Sequence, residues 1–138
     1  MSLSKGDVFW CKNSNFPNEP AHPHIVVEIT TDKKIVYVWT SSQIKTVKYW
    51  CKKFEKNDKG KPLKTYVEAD TVDCSALDRK SAINCNNAEI IEEYVLTRRE
   101  GYKKDENNCK ISNELLGKIR VGIFCSERVS FEIRKLLK

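Results

Sequence analysis

No apolar run in this 138-residue chain approaches the roughly 20 residues that a membrane-crossing helix needs. The opening residues, Met1-Ser2-Leu3-Ser4-Lys5, place no apolar stretch ahead of the first strand-like segment. A secretory signal is therefore not expected, and the expected compartment is cytoplasmic. No C-x-x-C pair occurs, which removes the usual zinc-ligand spacing. Cys11, Cys51, Cys74, Cys85, Cys109 and Cys125 are scattered, and in a reducing compartment they read as buried thiols acting as small hydrophobes. A zinc-dependent structural module would need those cysteines to converge in space. P-loop and dinucleotide fingerprints are absent, as are a G-x-S-x-G elbow, internal repeats and low-complexity stretches. Neither a cofactor nor a metal is expected. Histidine is scarce: His22 and His24 are the only two.

What the chain does have is ordinary globular composition, 40% hydrophobic and 32% charged, at a length that suits a single domain over residues 1–138. The net charge of +6 is not spread evenly. Eight lysines (45, 48, 52, 53, 56, 59, 61 and 64) face only Glu55 and Asp58 between positions 45 and 64, so this segment carries +6 by itself. Charge gathered on one element suits a polyanion partner through counterion release. A lysine-rich hairpin kept soluble by its charge is the other reading.

Strand patterns dominate the first two thirds. Lys5 to Lys12 alternates, with Val8 and Trp10 on one face and Phe9 and Cys11 on the other. Asn13 to Pro20 reads as a loop. His24 to Thr31 alternates with Ile25, Val27 and Ile29 on the apolar face, and Ile35 to Thr40 is strongly β-prone. A basic hairpin is expected over 45–69, with strands near 45–54 and 63–69 around the turn residues Asn57-Asp58-Lys59-Gly60. Ser81 to Cys85 and Ala88 to Glu92 read as a strand pair broken at Asn86-Asn87, and 97–110 as a loop. The period then changes. Ser112 is a good N-cap, Leu115, Leu116, Ile119 and Ile123 recur at helical spacing, and Ser126-Glu127 starts a second helix with Val129, Ile133, Leu136 and Leu137 on its apolar face. The helical C-terminus thus spans 112–137. Strands first and helices last predict a mainly β fold, a small barrel capped by one or two helices.

The landmarks Gly6-Asp7-Val8, His22-Pro23-His24-Ile25-Val26-Val27, Trp39-Thr40-Ser41-Ser42 and Ile83-Asn84-Cys85-Asn86-Asn87-Ala88-Glu89-Ile90 run in an order that resembles the MazF/PemK toxins of type II toxin–antitoxin systems. That resemblance implies an SH3-like, PemK-like barrel, metal-independent endoribonuclease activity on single-stranded RNA, a homodimer and an antitoxin protein as partner. The departures fall on the chemistry. His22 stands where the family has an arginine before the proline, and Asn84 and Asn86 stand where the PemK-like branch has an arginine and an aspartate. The hydroxyl at the end of the third strand is retained as Thr40, Ser41 or Ser42. The chain is then either a divergent enzyme or a catalytically inactive barrel that binds RNA or a protein partner.

Metal-free cleavage needs a base for the ribose 2′-OH, an acid for the leaving oxygen and stabilisation of the charged phosphorane. His22 and His24 lie two residues apart, and on an extended segment both project to one face. Histidine titrates near neutrality, so the pair suits acid and base roles, with Thr40, Ser41 or Ser42 and a lysine on the phosphate. Glu28, on the same predicted face as His24, is a candidate to orient an imidazole. The same His-Pro-His also suits a structural role, satisfying loop carbonyls. Trp10, Tyr37 and Trp39 read as core. Tyr49, Trp50 and Phe54, interleaved with Lys45, Lys48, Lys52 and Lys53, suit base stacking beside phosphate contacts, or packing of the hairpin on the barrel. Asn84 and Asn86 join this set as expected RNA contacts.

Overall fold

β-Branched and aromatic residues in strict alternation build the centre of the molecule. In Lys34–Ser41 (β3), Ile35 and Tyr37 face one side of the sheet while Val36 and Val38 face the other, and all four are buried. His22–Ile29 (β2) pairs antiparallel with β3, and Val8–Cys11 (β1) pairs antiparallel with β2. Tyr66–Ala69 (β4), Ser81–Asn84 (β5), Glu89–Glu92 (β6) and the short Lys103–Lys104 (β7) complete a seven-stranded antiparallel sheet. Its order is β4-β5-β3-β2-β1-β7, and β6 pairs with the first half of β3 while β5 pairs with its end. Four helices accompany it among the described residues: Ile44–Phe54 (α1), Glu93–Leu96 (α2), Asn113–Phe124 (α3) and Phe131–Leu136 (α4). The computed structural model describes residues 3–12, 18–56 and 60–137, and no helix among them is long and apolar enough to cross a membrane.

Because β2 and β3 are apolar on both faces, both faces must be covered. Leu115, Ile119 and Ile123 of α3 close one side over Val8, Ile25, Val27, Val36 and Val38. Leu3, Phe9, Val26 and Leu96 close the other over Ile35 and Tyr37. Ser112 caps α3 as its sequence implies, its Oγ accepting from Leu115 N–H at 3.1 Å. Cys11, Cys51, Cys74, Cys85 and Cys109 are buried free thiols, and Cys125 is exposed.

Several expectations need correction. The sheet is not closed into a barrel by hydrogen bonds: among the described residues β4, β6 and β7 each pair on one side only, and α3 packs against β4 and β2. The basic hairpin of 45–69 is not a hairpin. Its first arm is α1, because Ile44, Val47, Cys51 and Phe54 recur at helical spacing and put Cys51 into the interior. Its second arm is β4, paired with β5 instead. Asn57, Asp58 and Lys59 of the predicted turn, and 13–17 of the predicted loop, lie outside the described residues. A bulge between Val26 and Glu28 resets the alternation of β2, so Ile29 joins the face of Val26 rather than that of Ile25 and Val27. The last helix begins at Phe131 with Ser130 as its cap; Ser126 is buried and its hydroxyl is committed to Asn86 Oδ1 at 2.6 Å.

A buried carboxylate ties the start of the sheet to the loop before α3. Asp7 is 1% exposed and accepts from Ser4 N–H at 2.8 Å, with Lys104 Nζ at 3.4 Å and Lys110 Nζ at 3.2 Å. Burial alone would raise its pKa, but the Ser4 N–H and the two lysines outweigh that and hold the carboxyl below its ordinary 3.8. The stabilisation is therefore full above that ordinary value and is lost as the pH falls through the lower native one. Asp7→Asn is expected to cost about 2 kcal/mol at neutral pH and to blunt the fall of Tm in acid. Thermal melts of both chains from neutral pH to about pH 3 check this; a parent and variant with parallel acid profiles would exclude the linkage.

Candidate active site

Antiparallel pairing of β2 with β3 brings the head of one strand beside the end of the other. His24 lies opposite Trp39, and Thr40 Oγ1 donates to Pro23 O at 3.1 Å. The chain then turns sharply: Ser41 Oγ accepts from Gln43 N–H at 3.1 Å, and Ile44 N–H donates to Ser42 O at 3.0 Å. This turn launches α1 directly from the end of β3. The result is a cleft of about 640 Å³, with His22 and Glu19 on one wall and Trp39, Thr40, Ser41 and Ser42 along its floor. The first turn of α1, Trp50 and Asn84 form the opposite wall.

The electrostatics of that wall favour an anion. Gln43 supplies no side-chain cap to α1, and no acidic residue stands in its first turn. With the Ile44 N–H taken by Ser42 O, the N–H groups of Lys45 and Thr46 and the positive end of the helix dipole lie at the end of α1 that lines the cleft. Across from them, His22 Nε2 lies 3.0 Å from Glu19 Oε2, a contact that orients the imidazole.

The two histidines are not brought together. His24 is 2% exposed, stacked on Phe9 at 5.0 Å and packed beside Tyr37 and Trp39, while its Nδ1 donates to His22 O at 2.7 Å. Burial first, then the nearby His22 and Arg99 charges, pull its pKa down to about 4 against the opposing hydrogen bond, so it is neutral at physiological pH. Glu28 does not approach it. The bulge in β2 sends that carboxylate to Lys5 at 3.2 Å and Arg120 at 3.2 Å.

Of the remaining candidates, Thr40, Ser41, Ser42, Trp50 and Asn84 share the cleft with His22. Thr40 is buried with its hydroxyl proton spent on Pro23, whereas Ser42 is exposed. Asn84 Oδ1 accepts from Asn86 N–H at 3.0 Å and starts the short turn at Cys85–Asn87. Asn86 lies deeper and does not face the cleft: its Nδ2 donates to Thr65 Oγ1 at 2.9 Å and its Oδ1 accepts from Ser126. Lys45, Lys48, Lys52 and Lys53 are exposed along α1; Lys48 lies over the Tyr66 ring at 5.9 Å and Lys53 over Tyr49 at 5.7 Å. Glu19, Gln43 and Thr46 are cleft residues that the sequence reading missed. Glu19 carried a signal, three positions before His22; the other two depend on α1 being a helix.

No family model matches the chain, and no curated protein matches it in sequence. A solved structure of an endoribonuclease in complex with its cognate antitoxin, from a mycobacterial species, is similar to it with a TM-score of 0.49 at 13% identity, covering 88% of this chain and 91% of that one. A likeness at that level fixes neither a family nor an activity.

Proposed function

We propose that the chain is a toxin-like, metal-independent endoribonuclease that binds single-stranded RNA across the His22 cleft. The observation that carries this reading is the juxtaposition of a carboxylate-oriented imidazole with an uncapped helix N-terminus, between two tryptophans. A phosphodiester fits between the α1 amides and the Ser41–Ser42 hydroxyls, and flanking bases stack on Trp39 and Trp50. His22 takes the proton of the ribose 2′-OH, whose oxygen attacks the adjacent phosphorus. The 5′-oxygen leaves and takes its proton from water, giving a 2′,3′-cyclic phosphate and a free 5′-hydroxyl. The lysines on the outer face of α1 steer the polyanion toward the cleft. The resemblance of the sequence landmarks to MazF/PemK toxins adds an antitoxin protein and a second copy of the chain as partners.

A second reading is favoured by the burial of His24. One accessible imidazole is a lean acid–base apparatus, and a catalytically inactive chain of this fold that only binds RNA would need no more. Incubating the full chain with end-labelled single-stranded RNA in excess EDTA separates the two. Cyclic-phosphate-terminated fragments are the expected result. A shifted but intact strand would support the binding-only reading, and no interaction with RNA at low salt would dispose of both.

A further inference from the structure

A second cavity, of about 440 Å³, opens where the end of α1 meets the loop before β4 and the segment after α3. Lys56, Lys61 and Lys64 line it, together with Phe54 and Ser126. Of its two acidic members, Glu127 is exposed at the surface and Glu55 is turned onto the loop: the Glu55 carboxylate accepts from the N–H groups of Lys64 and Thr65 and from Thr65 Oγ1. That loop is in turn fixed by the buried run Thr65–Asn86–Ser126. The lining is thus largely polar, with three lysines among its residues.

The cavity is joined to the His22 cleft by rings. Trp50, a wall of the first cleft, is 46% exposed and lies 5.8 Å from Phe54, a wall of the second. Tyr49 meets Trp50 edge-on at 5.3 Å, and the Arg128 guanidinium sits 4.0 Å from the Phe54 ring centre. Alternating rings and cations are what a single strand requires: a face for each base and a charge for each phosphate. An acidic peptide would use the lysines but has no need of the stacked rings.

We propose that this second cavity is a distal phosphate-and-base subsite, which a single RNA strand reaches from the His22 cleft by passing over Trp50 and Phe54. The proposal rests on the RNA-binding reading given above and extends it to a second, separate site. It makes affinity depend on strand length: a strand that fills only the first cleft gains nothing from Lys56 and Lys64.

The test uses the full chain and 2′-O-methyl single strands, whose blocked hydroxyls cannot be cut, of about three and about ten nucleotides. Lys56→Glu/Lys64→Glu is expected to weaken binding of the longer strand by about tenfold or more at low salt and to reduce its salt slope by about 1.4. Arg128→Gln, a change at an exposed side chain, is expected to weaken the same strand roughly threefold. The short strand should bind all three proteins equally. Equal losses on both strands, or no loss on the longer one, overturn the subsite while leaving the cleft reading intact. Polyglutamate competing as well as the longer strand also overturns it, in favour of a general polyanion surface. If the parent chain binds neither strand, the RNA reading and the subsite fall together. Circular dichroism melts establish that each variant is folded, and Arg128→Gln keeps the question answerable should the double variant not fold.

Discussion

His22→Ala is expected to slow cleavage of single-stranded RNA by about a hundredfold to ten-thousandfold, the range for losing a positioned general base. Its partner in the His-Pro-His run should behave differently. His24→Phe keeps a ring stacked on Phe9 but is larger and gives up the Nδ1 bond to His22 O, so its expected effect on cleavage is the smaller one, within about tenfold. The contrast follows from position on β2. His22 lies at the open head of the strand beside Glu19, whereas His24, two residues on, is walled in by Phe9, Tyr37 and Trp39 and held neutral. Added imidazole should restore part of the activity of His22→Ala, because the space left by the side chain opens into the cleft proposed to hold the phosphate. Such rescue separates loss of a base from loss of shape. Single-turnover rates for the parent and both variants settle the assignment: cleavage that survives His22→Ala but fails in His24→Phe would reverse the roles.

The cleft was partly legible because antiparallel pairing follows from alternation. Ile35 to Thr40 and the stretch beginning at His24 both read as strands, and pairing them puts Thr40 and Ser41 near His22. Alternation also places His22 and His24 on one face, but it does not say which of them lies at the rim. That depends on Phe9 and Tyr37, which arrive from other strands. The helix α1 was the larger miss. Val, Ile, Tyr and Trp between 44 and 50 weigh toward a strand by propensity, while Ile44, Val47, Cys51 and Phe54 keep a helical period. The period prevails because α1 packs against β4 and β5, and a strand there would turn half of its apolar residues to water. With α1 misread, the amide donors of its first turn could not be foreseen. The bulge in β2 was equally hidden, since one inserted residue leaves no mark in composition yet moves Glu28 away from the histidines and onto Arg120.

A substitution at Gly122 is expected to damage the fold more than any other single methyl addition to α3. The Cβ of an alanine there would lie 2.6 Å from Cys85 Sγ and 3.2 Å from both Cys85 Cβ and Lys64 O. Cys85 is fully buried and the Lys64 carbonyl is backbone, so neither neighbour can swing aside. Alanine gains about 1 kcal/mol in helix propensity, but overpacking of this kind costs about 1–3 kcal/mol, so Gly122→Ala should be destabilising on balance. Gly122→Leu should cost about 3 kcal/mol or more, lowering Tm by roughly 10 °C in a chain of this size. Gly117 supplies the control in the same helix. Nothing lies within 4 Å of its added Cβ, so Gly117→Ala should stabilise the chain by up to about 1 kcal/mol. Cys85→Ala placed in the Gly122→Ala background should recover part of the loss, because it removes the nearest clashing atom, and the double-mutant cycle should show positive coupling. Urea unfolding of six chains, the parent, these four variants and Cys85→Ala alone, measures all of these. The consequence reaches beyond stability: α3 meets the turn at Cys85–Asn87 through Gly122, and that turn begins at Asn84, a wall of the His22 cleft. A helix pushed outward at Gly122 therefore disturbs Asn84 and Asn86 together, and Gly122→Ala should weaken single-strand binding even at temperatures where the chain remains folded.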